Sequence, residues 1–268
     1  MPVARDVSDL GSESPPEAAA LPVNELFYSL QGEGKRAGVP SVFVRTAGCN
    51  LRCWFCDSYH TSWEPTGAWL AIDEIVDELQ QFEQADHVVV TGGEPMIHDE
   101  ITELLERLDA AGYHTTVETN GTIHHDAPID LASISPKLSS STPTAELDPK
   151  GDGEWAEKHG NRRIDVDALA ALVDDYDAQL KFVVTGREDM AEIDELVGRV
   201  REGVTARRAP DEPTEDVLPD SDVLLMPEGM TREELDQRRT AVAELAQEYG
   251  YRYTPRLHVD LWNDEPGT

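Results

Sequence analysis

Basic residues are scarce in this sequence. Only 22 lysines and arginines accompany 54 aspartates and glutamates among 268 residues, so the formal net charge is −32. A charge of that size repels nucleic acids and anionic membrane surfaces, which argues against either as a major partner. Because concentrated salt screens such self-repulsion, with a Debye length of about 3 Å at 1 M, we expect a halophilic source. An acidic protein of a mesophile is the alternative.

Long apolar runs are also missing. No segment approaches the roughly 20 apolar residues that span a bilayer, and the first residues lack the basic-then-apolar pattern of a secretory signal. We therefore expect a cytoplasmic protein. Cysteines are few as well: the three present lie within eight positions. An odd number placed so closely favours a metal or redox site in a reducing compartment over a disulfide framework.

Strand-like and helix-like segments alternate along most of the chain. Such alternation predicts an α/β fold with a mainly parallel sheet, either open or curled into a barrel, and with ligands at the carboxyl ends of the strands. Short β-branched or aromatic runs predict strands at 41–45, 87–90, 114–118, 131–135, 179–184 and 222–226. Helical periodicity predicts helices at 72–84, 99–111, 166–175, 188–201 and 231–249.

Three polar segments depart from this alternation. Residues 1–20 lack periodicity and large apolar groups, so we predict a disordered acidic tail followed by one domain over 21–268. Residues 139–163, rich in Ser, Thr, Gly and Asp, and residues 202–221, which contain three prolines, are interpreted as surface insertions.

The cysteines form a loop that directly follows a predicted strand. Cys49, Cys53 and Cys56 can bind three irons of a cubane iron–sulfur cluster and leave the fourth iron open to a substrate or cofactor. A structural zinc site that adds His60 is the alternative, because these ligand types also suit tetrahedral zinc. Structural zinc loops usually present two separated ligand pairs, and the sequence has no second Cys or His cluster.

The C-x3-C-x2-C spacing, with Phe55 before the last cysteine, resembles the signature of the radical S-adenosylmethionine (SAM) superfamily. The resemblance implies a partial (β/α) barrel, a [4Fe-4S] cluster, and SAM bound to the open iron and cleaved to a hydrogen-abstracting 5′-deoxyadenosyl radical. The Thr91-Gly92-Gly93-Glu94-Pro95 segment, alone an ordinary turn, is similar to the superfamily's glycine-rich motif. The residues to which the resemblance assigns SAM contacts are Phe55, Cys56, Asp57, Gly93, Ser135, Pro136, Lys137 and Lys181.

Further segments narrow the resemblance to one family. The block at 24–34, Arg45, the cysteine loop and the terminal 256–262 segment are similar, in this order, to the 7-carboxy-7-deazaguanine synthase family. The implied substrate is a carboxylated tetrahydropterin. Gln31, with the backbone of Leu30 and Gly32, suits the amide edge of a pterin, and Arg45 suits its carboxylate. By family analogy Thr91 also contacts the substrate, and no side chain is assigned as a catalytic acid or base.

The family resemblance also implies a metal, a reaction and partners. It implies Mg²⁺ with a hydroxyl ligand at position 58, where this chain has Ser58 in place of the more familiar Thr. The implied reaction contracts the ring of 6-carboxy-5,6,7,8-tetrahydropterin with loss of ammonia, toward the deazapurine nucleosides archaeosine and queuosine of tRNA. An electron donor such as a flavodoxin or ferredoxin, and a homodimer, are implied as well. An activating enzyme that places a glycyl radical on a partner protein is the alternative function.

Overall fold

One mixed sheet organises the chain. The computed structural model describes residues 3–5, 7–209 and 217–263. Its strands are β1 Val3–Arg5, β2 Ala20–Leu30, β3 Pro40–Thr46, β4 Ala68–Ala71, β5 His87–Gly92, β6 His114–Thr119, β7 Leu131–Ile134, β8 Ala178–Val184, β9 Val223–Pro227 and β10 Arg252–Tyr253. Its α-helices are α1 Tyr59–Ser62, α2 Ile72–Leu79, α3 Ile101–Ala110, α4 Ala156–Arg162, α5 Val166–Asp175, α6 Met190–Arg207, α7 Arg232–Tyr249 and α8 Leu257–Trp262.

The strand order confirms the predicted α/β class. Strands lie in the order β1-β2-β3-β5-β6-β7-β8-β9-β10, and β4 also pairs with β2. All neighbours from β3 to β10 are parallel, whereas β2 is antiparallel to β1, β3 and β4. Helices connect the parallel strands except β6 and β7, which a loop joins, and the strands' carboxyl ends meet at one edge of the sheet.

Both faces of the central strands are buried, which explains their unbroken apolar runs. Val88 and Val90 belong to the large core beneath the helices. Val89, which points to the opposite face, packs with Phe27 and Phe43 in a second cluster. The rings of Phe27 and Phe43 are stacked, with 4.8 Å between their centroids. This inner cluster forms an apolar layer directly below the polar residues at the carboxyl ends of the strands.

The sheet curls so that loops from its two sides come into contact, as expected for a partial barrel. The loop after β2 contacts the segment after β10: Gly34 N–H donates to Thr254 Oγ1 at 2.8 Å, and Leu257 N–H donates to the Gly32 carbonyl at 2.9 Å. Lys35 N–H also donates to Gln179 Oε1 on β8 at 2.8 Å. These bonds bring residues from both halves of the chain around one space.

The prediction of a disordered tail over residues 1–20 is wrong for the described part. Strand β1 pairs with β2, Val7 is buried in the core, and Ser12 forms a bridge with Trp69. A strand of three residues carries too little periodicity to be recognised, and β2 supplies the edge to which it binds. Residues 1, 2 and 6 lie outside the described residues.

The two segments predicted as surface insertions contain helical structure that their composition did not predict. Segment 139–163 contains α4 and covers the cysteine loop, with Ser141 and His159 fully buried. Helix α6 continues to Arg207, so the first residues of 202–221 are helical, and residues 210–216 lie outside the described part. The single domain over 21–268 stays a prediction. Among the described residues, no helix is both long and apolar enough to cross a membrane.

Candidate active site

The carboxyl ends of the strands surround a cavity of about 210 Å³. Every parallel strand from β3 to β9 contributes a residue at or just beyond its carboxyl end, because the polar groups there cannot enter the apolar layers below. The predicted site residues that line the cavity are Leu30, Gln31, Gly32, Arg45, Cys49, Cys53, Phe55, Cys56, Asp57, Ser58, Thr91, Gly93, Ser135, Lys137 and Lys181. Pro136 is the exception: it is buried but is not part of the wall.

Hydrogen-bond donors surround the thiols of the cysteine loop. Leu51 N–H donates to Cys49 Sγ at 3.4 Å, and the Ser62 hydroxyl donates to Cys56 Sγ at 3.1 Å. The indole N–H of Trp63 donates to the Cys53 carbonyl at 3.0 Å and secures the loop from the side of α1. Such donors stabilise negative charge on sulfur, which is what bound thiolates carry.

Burial keeps these thiols protonated in the absence of a metal. It raises the pKa of Cys49 to about 12, with the nearby Glu94 carboxylate acting in the same direction. Burial likewise raises the pKa of Cys53 and Cys56, and the proximity of the other thiols adds to the effect at Cys53. Metal binding to these sulfurs must therefore release protons.

The donor set fits an iron–sulfur cluster better than zinc. Within the described ranges, no group of three His, Cys, Asp or Glu side chains is arranged around a single metal position. His60, the fourth ligand of the zinc alternative, is exposed and does not line the cavity. In a cubane each cysteine binds a different iron, so the three sulfurs need not converge on one point.

The glycine-rich turn after β5 packs directly against the cysteine loop. Gly93 N–H donates to the Thr46 carbonyl at 3.1 Å. A Cβ at Gly93 would lie 2.1 Å from the Gly48 carbonyl oxygen, which a real side chain never does. The glycine is therefore required by a close backbone approach as well as by its place on the cavity wall.

Glu94, which the motif analysis did not single out, ties this turn to β6. Its fully buried carboxylate accepts hydrogen bonds from Met96 N–H at 3.0 Å, the Thr119 hydroxyl at 2.8 Å and Asn120 N–H at 2.6 Å. Burial raises the pKa of Glu94 despite these donors. Asn120 in turn donates to Asn50 Oδ1 at 2.9 Å, so β6 also positions the cysteine loop.

A chain of ionic contacts closes one side of the cavity. Lys181 Nζ lies 2.5 Å from Glu33 Oε2 and 3.7 Å from Glu118 Oε1. Burial opposes its charge, but Glu33 and Glu118 together outweigh burial and raise the pKa of Lys181. Arg256 donates to Glu33 Oε1 at 3.0 Å and also to the Asp57 carboxylate. Lys181, a cation in an apolar strand, thus has the anionic partners that its position requires.

The side chains expected to meet the substrate already contact one another. Gln31 Nε2 donates to Glu118 Oε1 at 3.2 Å, and the Thr91 hydroxyl donates to Glu118 Oε2 at 2.7 Å. Arg45 Nη1 donates to Ser58 Oγ at 2.8 Å, while its guanidinium lies over the Phe27 ring at 5.2 Å. The arrangement offers an amide, a carboxylate, a hydroxyl and a guanidinium to one small polar ligand.

Sequence reasoning missed several residues of this wall. Glu33 and Arg256 were treated only as parts of longer motifs, yet both have buried charged groups facing the cavity. His258 fills the space beside Gly32, where a Cβ would lie 1.9 Å from its Nδ1. Glu228 after β9 is also buried and lines the cavity. For Glu228 the available signal was its place just after the predicted strand at 222–226, where ligands of such a sheet gather.

Comparisons with known proteins agree with this geometry. Residues 43–136 match the radical SAM superfamily. The chain is 65% identical over all 268 residues to 7-carboxy-7-deazaguanine synthase from Halobacterium salinarum, and the match covers all of that relative. It is 38% identical over 262 residues to the synthase from Rhodopirellula baltica, which covers 96% of this chain and 94% of the relative. The crystal structure of QueE from Escherichia coli has a similar fold, with a TM-score of 0.57, 24% identity and coverage of 89% of this chain and 95% of that one.

Proposed function

The chain belongs to the 7-carboxy-7-deazaguanine synthase family, and from that premise we propose how its cavity divides between cofactor and substrate. It is a radical SAM enzyme that uses a [4Fe-4S] cluster and SAM to convert 6-carboxy-5,6,7,8-tetrahydropterin to 7-carboxy-7-deazaguanine with loss of ammonia. The supporting observation is that one cavity is lined both by the cysteine loop, which we assign to the cofactor, and by Gln31, Glu118 and Arg45, which we assign to the substrate.

The cofactor half consists of the cysteine loop and the neighbouring strand ends. Cys49, Cys53 and Cys56 hold the cluster, and Gly93 and Lys137 border the space for SAM. When bound, the two groups supply a radical that takes one hydrogen atom from the substrate. The protein's part is to hold the reacting atoms in line and to exclude water, which the ionic wall of Glu33, Lys181 and Arg256 helps to do.

The substrate half consists of the end of β2 and its neighbours on β3, β5 and β6. Gln31 and Thr91 are oriented by the Glu118 carboxylate, so their polar atoms have defined directions before the substrate arrives. The amide edge of a pterin needs donors and acceptors of this kind, and its carboxylate needs a guanidinium such as Arg45. Changing Arg45 to Lys keeps the charge but loses the bidentate fork, so we expect KM to rise more than kcat falls.

Mg²⁺ is proposed to bind beside Ser58. This hydroxyl is buried, accepts a hydrogen bond from Arg45 and donates one to Asp57 Oδ1 at 3.2 Å. A hard cation prefers such oxygen ligands. In chelator-treated enzyme, Ser58→Ala should need much more Mg²⁺ for half-maximal turnover, whereas Ser58→Thr should behave as the parent. Equal turnover of the parent with and without Mg²⁺ would exclude the metal.

The decisive experiment is anaerobic reconstitution followed by an assay with carboxytetrahydropterin, SAM and Mg²⁺. We expect brown protein with about four irons per chain and 7-carboxy-7-deazaguanine detected by mass spectrometry. Colourless protein would favour the zinc alternative. A brown protein that cleaves SAM but never forms the deazaguanine would favour an activating enzyme instead.

Three further proposals concern the electron donor, the cellular location and the oligomeric state. Turnover requires one electron at the cluster, so we propose a flavodoxin or ferredoxin as the electron donor. The test is to replace the chemical reductant dithionite with either protein in the assay.

All three cysteines are free thiols, which supports a reducing, cytoplasmic location. Fractionation of the source cells would test this location. A homodimer is proposed from the family resemblance alone. The test is the molar mass of the holoenzyme, measured by light scattering after size-exclusion chromatography, and the mass of a monomer would refute the proposal.

A further inference from the structure

Helix α1 is bonded to the cysteine loop through the residues on both sides of Ser62. The Thr61 carbonyl accepts a hydrogen bond at 2.8 Å from Gly48 N–H, directly before the first cysteine. The indole N–H of Trp63 donates to the Cys53 carbonyl at 3.0 Å. Because Ser62 lies between these two contacts, its backbone has a fixed position relative to the loop.

The Ser62 side chain contacts a thiol of the same loop. Its hydroxyl lies 3.1 Å from Cys56 Sγ and donates to it. Ser62 is only 2% exposed and belongs to the wall of the cavity, so bulk water has little access to this contact. A sulfur that binds iron as a thiolate carries no proton, and the hydrogen bond can then run only from the hydroxyl to the sulfur.

The Ser58 carbonyl is a second acceptor near the Ser62 hydroxyl, but it competes poorly. Its oxygen lies 3.4 Å from that hydroxyl, farther than the sulfur of Cys56. The same oxygen already accepts from Thr61 N–H at 2.9 Å and from the Thr61 hydroxyl at 2.8 Å, which occupy its two lone pairs. The single hydroxyl proton of Ser62 is therefore left for Cys56, and the negative charge of a thiolate strengthens that acceptor further.

We propose that Ser62 is a positioning residue that raises the reduction potential of the bound cluster through its hydrogen bond to Cys56. The proposal rests on the cluster assigned to the three cysteines above. Reduction adds one negative charge to the cluster and its ligand sulfurs, and a proton donor at one of these sulfurs stabilises the added charge. The hydrogen bond therefore favours the reduced state over the oxidised state, which raises the potential.

Ser140 provides a matched control beside the same loop. Its hydroxyl oxygen is buried and has no hydrogen-bond partner among the described residues, and its carbonyl accepts from the Trp54 indole at 2.7 Å independently of the side chain. Ser62→Ala and Ser140→Ala are thus the same chemical change, but only the first removes a donor to a ligand sulfur. Ser62→Thr and Ser62→Val form a second pair, because these β-branched side chains have nearly the same shape and only threonine keeps the hydroxyl.

The test is a redox titration of reconstituted holoenzyme in the absence of SAM, monitored by electron paramagnetic resonance of the reduced cluster. We expect Ser62→Ala to shift the potential to a more negative value and Ser140→Ala to leave it unchanged. The potential of Ser62→Val should likewise be more negative than that of Ser62→Thr. After exchange into deuterium oxide, the parent and Ser140→Ala should show a deuteron coupling that Ser62→Ala lacks. A side chain that only packs against the loop would contribute no such coupling.

Two results would overturn the inference. One is a Ser62→Ala holoenzyme with full iron content and the parent's potential and deuteron coupling; the other is an equal shift in Ser140→Ala. If Ser62→Ala fails to fold or to bind the cluster, the pair Ser62→Thr and Ser62→Val decides, and equal potentials in these two variants would refute the role of the hydroxyl. A parent protein without a cluster would refute the proposed function itself, whereas an unshifted variant of a brown parent refutes only this inference.

Discussion

The Nε–H of Arg256 donates to Glu33 Oε1 at 3.0 Å, joining residues 223 positions apart in the sequence. The other nitrogens of the same guanidinium bind the Gly229 carbonyl and the Asp57 carboxylate. Lys181 binds the second oxygen of Glu33 at 2.5 Å. Glu33 is therefore the shared acceptor that holds the start of α8, strand β8 and the β2 loop around the cavity.

Replacing Arg256 with methionine, which removes the guanidinium, should strongly destabilise the fold. In Arg256→Met the buried Glu33 carboxylate loses one of its two strong donors, and breaking a buried pair in this way typically costs about 3–5 kcal/mol. The measurement is the free energy of unfolding from urea denaturation. Arg187→Met provides the control, since its bidentate pair with Glu248 is largely exposed and should contribute far less. Equal losses in the two variants would contradict the role given to burial.

Glu33 should make stability depend on acid pH. Burial raises its pKa, but Lys181 and Arg256 outweigh burial and hold the pKa well below the ordinary 4.5. The ionised carboxylate therefore contributes its full stabilisation above about pH 4.5, and this contribution is lost as the pH falls toward the folded-state pKa. Glu33→Gln should be less stable than the parent at pH 7, and the difference should shrink as the pH falls below about 4.5.

Unfolding free energies measured from pH 7 to 3 test this dependence. Glu233→Gln, at an exposed position on α7, should keep the parent's slope over the same range. A constant difference between Glu33→Gln and the parent across these pH values would mean that Glu33 does not titrate with folding.

Gly93→Ala should displace the cysteine loop. The new Cβ would meet the Gly48 carbonyl oxygen at 2.1 Å, and because that atom is backbone the loop itself must move. We expect a clear loss of iron bound per chain after reconstitution and a lower melting temperature. Gly198→Ala, in the middle of α6 with nothing within 4 Å of its Cβ, should bind iron normally and gain up to about 1 kcal/mol of stability. Normal iron content in Gly93→Ala would contradict this prediction, because it would show that the cysteine loop accommodates the new Cβ and still binds iron.

Salt should stabilise the protein. With a net charge of −32, repulsion between surface carboxylates opposes the compact state, and molar salt reduces the Debye length to about 3 Å. We expect the melting temperature to rise steadily between dilute buffer and molar potassium chloride. A melting temperature that is flat or falls with salt would contradict the halophilic interpretation.

Local patterns were enough to predict most of the fold. The strand predicted at 87–90 is the core of β5, because a strand buried on both faces is an unbroken β-branched run. The helix predicted at 166–175 coincides with α5, because burial of one helix face imposes a period of 3.6 on the sequence. The buried residues of segment 139–163 were not predicted. Its polar residues looked solvated, yet Ser141 and His159 are buried, since their hydrogen-bond partners lie in the distant cysteine loop.

The sequence by itself determined the spacing of the three cysteines, the alternation of most strands and helices and the family resemblance, because each depends on residues within a short stretch. Only the tertiary structure decided which charges meet. Glu33, Lys181 and Arg256 are far apart in the chain and are joined by the curl of the sheet. Such contacts are governed by three-dimensional distance and burial, which no local pattern of residues encodes.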